Sequence, residues 1–425
     1  MQQIKRREFL KGSVGAATVF CTLPGVIYAS PNNRIVIGVM GLGGRGTGLA
    51  GMLAARSDVQ IKYLCDPDAR KHAQALRAVQ ERAPERGPEQ RPPQCVQDFR
   101  RMLDDKEVDA IINATPDHWH CLGTVMACQA GKHVYVEKPL AHGVWEGRKM
   151  IEAARKYNRV VTVGTQTRSA PYAHAARDLV RSGKLGEVRL VRVYNLMQHP
   201  PQRLGPEQPV PKEFDYDMWC GPAPMLPYVA GRYWLNMAEF SCGPIPGDAI
   251  HQLDLARFVM GDPPPPLSVS HHGGIFVLQD GRDTPDTQYA IFEYEKFTLI
   301  FQGALWTPYM RKIPISIRES DEFPDWQFCA TKIEILGTKA YMYLGRHGGG
   351  WQVYNEDNKL IEQAPGRPGD RPHLENFLDC IRTGKLPNAD VEQGHQSTLL
   401  CHRANISWRV GNRKLAFDAS TESFP

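Results

Sequence analysis

Gly41, Gly43 and Gly46 stand in the spacing G-x-G-x-x-G within Gly41-Leu42-Gly43-Gly44-Arg45-Gly46. That spacing suits a main chain that must come close to a pyrophosphate. Gly41 permits a tight turn, Gly43 lets the backbone approach the phosphates, and Gly46 lets the next helix pack on the preceding strand. The free N–H groups at the helix start then face the anion. Asp66 stands twenty residues beyond Gly46, where a carboxylate accepts from ribose hydroxyls and repels a 2′-phosphate. The two signals point to NAD, with NADP the weaker expectation because Arg45 could accommodate a 2′-phosphate. The bland alternative for Asp66 is a turn residue before Pro67.

These residues need a scaffold of strands and helices in alternation. The β-branched run Arg34–Met40 reads as a buried parallel strand entering the glycine loop, followed by a helix to about Arg56 and a strand at Val59–Cys65. Further on, Asp98–Leu103 and His118–Ala130 read as helices. Val108–Ala114, His133–Val136 and Val160–Gly164 read as strands, and Ala83–Pro93 as a surface loop. The expected fold class is α/β: a doubly wound parallel sheet over residues 32–160, then an α+β domain over 161–425. Segments such as Gln288–Glu295 and Phe297–Gln302 predict an open, mainly antiparallel sheet in the second domain. Helices are expected over 371–384 and 395–410. The stretch from Met197 to Gly247 is rich in Pro, Gly and aromatics, and its rings and Arg232 suit the C–H faces and hydroxyls of a sugar, or merely pack as rigid loops.

Three local sequences carry a resemblance: Thr115-Pro116-Asp117-His118-Trp119-His120, Glu137-Lys138-Pro139, and Gly247-Asp248-Ala249-Ile250-His251-Gln252-Leu253-Asp254. In this order behind the glycine loop, they resemble the glucose–fructose oxidoreductase, inositol dehydrogenase and rhizopine-catabolism (Gfo/Idh/MocA) family over essentially everything after residue 33. The resemblance implies that Lys138 lies between nicotinamide and substrate as the acid/base, with Lys138–Pro139 cis. Oxidising a secondary alcohol needs such a group, because a hydroxyl proton must leave as hydride leaves carbon. His251 is implied as the second catalytic or substrate-positioning residue. Thr115, Pro116, His120, Glu137 and Gln166 are implied as cofactor contacts, and Arg168 as a substrate contact. In one respect the chain departs from the family, which has an Asp four residues before that His. Here Gly247 holds that place and Asp248 follows, so Asp248 either assists His251 from one helix face or caps the helix after Pro246-Gly247.

The N-terminal run Lys5-Arg6-Arg7-Glu8-Phe9-Leu10-Lys11 resembles a twin-arginine export signal, so residues 1–31 are expected to engage that export machinery and direct the chain to the periplasm. The apolar stretch that follows, broken by Pro24, is too polar for a good membrane span. The first thirty residues supply +3 of the formal net charge of +5. The remainder is near neutral, which gives no case for nucleic acid as a partner. The ten cysteines include no Cys-x-x-Cys pair and no zinc-type spacing, so no metal is expected and most cysteines read as small buried hydrophobes.

The expected function is an exported NAD-dependent oxidoreductase acting on a sugar, glycoside or polyol, with tightly held NAD and a homo-oligomer formed through the C-terminal sheet. Two alternatives use the same residues. One is a redox-assisted glycoside hydrolase or lyase that oxidises, eliminates and reduces on one retained NAD. The other is a nucleotide-binding sensor without turnover, against which intact Lys138 and His251 argue.

Overall fold

The computed structural model describes residues 34–83, 92–418 and 422. The signal segment, with Arg6 and Arg7, lies outside the described residues, as does most of the expected loop at Ala83–Pro93.

Six strands build the first sheet: β1 (Ile35–Met40), β2 (Val59–Cys65), β3 (Gln94–Val96), β4 (Ala110–Asn113), β5 (His133–Val136) and β6 (Val161–Val163). Their order is β3-β2-β1-β4-β5-β6 and every pairing is parallel. All six residues of β1 are buried, as are all four of β4 and of β5. Apolar runs without alternation mark a sheet covered on both faces. The covering helices are α1 (Gly44–Ala54), α2 (His72–Arg82), α3 (Arg100–Asp104), α4 (His120–Gln129) and α5 (Val144–Lys156). The order reverses between β1 and β4, and it is outside the carboxyl ends of the strands at such a point that open α/β sheets bind ligands.

The second sheet has nine strands: β7 (Val188–Leu196), β8 (Ser268–Gly274), β9 (Thr287–Glu293), β10 (Thr298–Ala304), β11 (Lys332–Gly337), β12 (Ala340–Gly345), β13 (Trp351–Asn355), β14 (Leu360–Ala364) and β15 (Leu415–Ala416). Only β7 and β10 pair in parallel; the other pairings are antiparallel. Alternation is clear in β9, where Gln288, Ala290 and Phe292 are buried between half-buried neighbours. The remaining helices are α6 (Pro171–Arg181), α7 (Tyr216–Cys220), α8 (Pro244–Val259), α9 (Ile315–Arg318), α10 (Asp370–Thr383) and α11 (Val391–Arg409). One core joins α6 and α8 to the inner face of this sheet through Ala173, Ile250, Leu253, Val191, Phe292 and Met342. The late helix α10 returns to the first sheet, where Leu374, Phe377 and Leu378 pack with Ile37, Leu49 and Tyr135. The chain therefore closes over both sheets, and α8 and α10 reach the cleft between them.

Candidate active site

The glycine loop turns as its residue types require. Gly41 has φ +87°, and a Cβ there would lie 2.6 Å from the Ala114 carbonyl oxygen. A Cβ on Gly46 would lie 1.8 Å from the Gly41 carbonyl oxygen, so only glycine lets α1 start there. Around Gly43 and Gly44 there is open space instead, and no side chain caps α1. Uncapped N–H groups beside open space in a cleft of about 400 Å³ are what a pyrophosphate needs. Asp66 directly follows β2 in the wall of the same cleft. Its Oδ2 accepts from Leu42 N at 2.8 Å and its Oδ1 from Asp68 N at 2.9 Å. The carboxylate thus organises the glycine loop and still has lone pairs for ribose hydroxyls, so these residues fit a dinucleotide.

A second lobe of the cleft, about 590 Å³, continues past Thr115 and Trp234 to Lys138, Gln166 and His251. Residues from two domains converge here. The Lys138 ammonium, just after β5, donates to the Gly247 carbonyl at 2.9 Å, and Lys138–Pro139 is cis. Glu137 is buried and pairs with Arg45 (Nε–Oε1 2.6 Å). Burial pushes its carboxyl up, but the Arg45 and Lys138 cations outweigh burial and hold it below the ordinary range. Arg45 also reaches Asp370 at 2.7 Å, and Gln166 Nε2 donates to the same carboxylate at 3.1 Å. His251 is 5% exposed, with Nδ1 buried and without a partner. Burial, then the Arg346 cation and the neighbouring His347, push its pKa well below the usual histidine value. The ring is therefore neutral.

The structure corrects four expectations. Asp248 does not cap α8, whose N-cap is Gly243. Arg346 grips it with both terminal nitrogens, at 2.6 and 2.8 Å. Burial raises its pKa, but Arg346 outweighs this and keeps it ionised far into acid. Arg168 is 1% exposed and bonds Asp254 and Asp262, each at 2.8 Å, inside the protein rather than in the cleft. A cation so deeply buried is stable only beside fixed carboxylates. Arg232 turns back to the Pro227 carbonyl at 2.6 Å, closing its own loop. His120 is 1% exposed, and its ring nitrogens meet the carbonyls of Pro139 (2.7 Å) and Thr115 (3.0 Å). It ties two cleft loops together and does not itself line the cleft.

Sequence reasoning missed Lys71, His347, Arg318 and Asp370. Lys71 lies 3.5 Å from Asp66, so a cation does flank the ribose end, but from α2's approach rather than from Arg45. Arg45 instead serves the Lys138 end. His347 comes from a loop, Arg318 from the short helix α9 and Asp370 from the start of α10, and no local pattern marks the first two. Asp370 had a weak signal as an acidic residue opening a helix. Among the nine described cysteines, eight are buried and all are free.

The comparisons with known proteins fall on both halves. Residues 35–165 match the oxidoreductase family with NAD-binding Rossmann fold, and residues 173–343 match the GFO/IDH/MocA C-terminal domain. The chain belongs to the Gfo/Idh/MocA oxidoreductases. It is 25% identical to the myo-inositol 2-dehydrogenase of Thermotoga maritima, over 87% of this chain and 95% of that protein. It is 25% identical to the D-glucoside 3-dehydrogenase of Escherichia coli, over 81% and 87%. The match to the 1,5-anhydro-D-fructose reductase of Ensifer adhaerens, 28% identical, spans 46% of that protein. Among solved structures, levoglucosan dehydrogenase in complex with NADH and levoglucosan aligns with a TM-score of 0.64 at 18% identity, covering 92% of this chain and 99% of that one. The WlbA dehydrogenase of Bordetella pertussis, in complex with NADH and UDP-GlcNAcA, aligns at 0.66 and 19%, covering 91% and 99%. At such identities these structures speak to the fold alone.

Proposed function

We propose that the protein oxidises or reduces a ring CH–OH of a sugar, glycoside or polyol, using NAD and Lys138 as acid/base. The observation that carries this reading is the meeting of Lys138 and His251 in one cleft lobe, continuous with the glycine-loop lobe. NAD, when bound, supplies the ring that takes up or gives back hydride. Gly43, Gly44 and the start of α1 would hold its phosphates, and Asp66 its ribose. Lys138 Nζ exchanges a proton with the substrate hydroxyl, and the Gly247 carbonyl fixes its direction. Neutral His251 hydrogen-bonds the reacting oxygen.

One observation favours the redox-neutral variant. Among the described residues, no carboxylate lies within ion-pair distance of the Lys138 ammonium, and Asp248 is clamped by Arg346. A proton taken by Lys138 therefore has no directly paired carboxylate to receive it. A cycle that oxidises, eliminates and reduces returns that proton to the product and leaves NAD unchanged. Export on the Arg6-Arg7 signal fits the same cycle, since an enzyme loaded with NAD before export to the periplasm needs no cofactor supply there. Pairing of two chains through the second sheet is supported by its outer face, which carries Tyr194, Tyr341 and Tyr354, none of them buried.

The test is a screen of glycosides and polyols against purified protein without added nucleotide, reading both reduced-nicotinamide absorbance and released aglycone. Catalytic turnover of either signal supports the reading. No turnover with any of them, with or without added NAD, overturns it.

A further inference from the structure

We propose that His347 is a further catalytic residue of this cleft, holding the hydroxyl next to the reacting one, so that the site selects substrates with a vicinal diol. This rests on the sugar oxidoreductase reading above and names its substrate class more narrowly.

His347 lines the same lobe as Lys138 and His251. Its ring meets the His251 ring edge to face, with centroids 4.4 Å apart at 70°. Two imidazoles whose centroids lie 4.4 Å apart in one lobe can meet two neighbouring ring oxygens rather than one. Burial and the Arg346 cation push the pKa of His347 well below the usual value, so both rings are neutral. A neutral ring can donate to one hydroxyl or accept from it, as the substrate requires.

The backbone shows how this position is built. His347 has φ +56°, in the left-handed region, and Gly348, Gly349 and Gly350 follow at +109°, +75° and +61°. A non-glycine residue in that region is held there by its surroundings. Here the hold is visible. Arg346 grips Asp248 of α8, while the Tyr172 hydroxyl donates to the Gly345 carbonyl at 2.9 Å and accepts from Gly348 N at 3.2 Å. Thr167 Oγ1 lies 3.5 Å from His347 Nδ1. The β12–β13 loop is thus pinned on both sides of His347, and the ring is delivered to the cleft. This also gives Asp248 its purpose: it anchors the loop that carries the second histidine.

The test uses the full chain loaded with NAD. His347→Gly removes the ring and suits the left-handed backbone, so folding is preserved; His347→Asn also tolerates that backbone and keeps a hydrogen-bonding group. The probes are D-glucose, methyl α-D-glucopyranoside and myo-inositol, with 2-deoxy- and 3-deoxy-D-glucose as controls that between them remove each vicinal diol of the glucose ring. Imidazole NMR signals are read for binding and nicotinamide absorbance for turnover, so the two ideas fail separately. The expected result is a probe-induced shift at both His251 and His347, weaker with at least one of the two deoxy sugars. A loss of about tenfold or more in affinity or kcat/KM is expected in His347→Gly, carried mainly by KM, with partial recovery in His347→Asn. Shifts without turnover would uphold the diol site and count against the redox reading. Turnover unchanged in His347→Gly, or no shift at His347 with any probe, overturns the proposal.

Discussion

The Lys138 ammonium, which follows the fifth strand of the parallel sheet, donates at 2.9 Å to the Gly247 carbonyl in the first turn of α8. One hydrogen bond thus spans the two domains at the point where chemistry is proposed. It fixes the amine by a main-chain atom, which no side-chain substitution on α8 removes.

Asp66 has two duties, and they separate by substitution. Asp66→Asn keeps an acceptor for Leu42 N, whereas Asp66→Ala loses it. Removing a charged hydrogen bond costs ~1.5–3 kcal/mol. Asp66→Ala should therefore weaken NAD binding by at least about tenfold and narrow the gap to NADP, which Lys71 is placed to favour. Calorimetric titration of both nucleotides checks this; an unchanged preference would contradict it.

Arg168 should matter to stability and not to substrate. Arg168→Met leaves Asp254 buried without its partner, and breaking a buried pair costs ~3–5 kcal/mol. Urea unfolding should show that loss, while KM of the remaining folded enzyme stays at the original value. A raised KM at unchanged stability would restore Arg168 to the substrate site.

Several buried histidines are held neutral. Burial pushes His133 and His373 down to about 4 and His402 to about 3 from an ordinary 6.5. A pKa that is lower in the folded state means the unfolded chain binds more protons on acidification. Stability is then fully present above about pH 6.5 and is lost as pH falls towards 4, each group contributing a slope of ~1.4 kcal/mol per pH unit. His402→Gln should flatten the melting-temperature profile between pH 6.5 and 4. A profile as steep as before would count against this account.

The Asp248–Arg346 clamp predicts a variant that is damaged in structure and not in proton transfer. Asp248→Asn should lower kcat/KM by loosening the His347 loop, yet leave the shape of the pH–rate profile intact. Loss of one limb of the profile would return Asp248 to the role of relay.

Local pattern carried most of the parallel sheet, because its strands other than β3 are short runs rich in apolar residues, bounded by turn residues, and their helices follow at once. The glycine loop and Asp66 were legible because their spacing is set within one strand–turn–helix unit. Strand β3 was missed: it has three residues, two of them exposed, and so shows no apolar run. Arg168 misled because its chemistry suits a substrate, while its burying partners Asp254 and Asp262 come from the far end of α8 and beyond. His347 was invisible for the converse reason. It lies in a hairpin loop of the second sheet, and only packing brings it to His251, ninety-six residues earlier in the chain.

The central claim is that Lys138 exchanges the substrate proton. The direct measurement compares Lys138→Met with the parent protein, both loaded with NAD, by rapid mixing with the most active sugar from the screen. Reduced-nicotinamide absorbance is followed in a single turnover. General acid–base groups contribute ~10²- to 10⁴-fold, so the account predicts a loss of that size, with NAD affinity and melting temperature unchanged. A single-turnover rate within a few-fold of the parent's would contradict it.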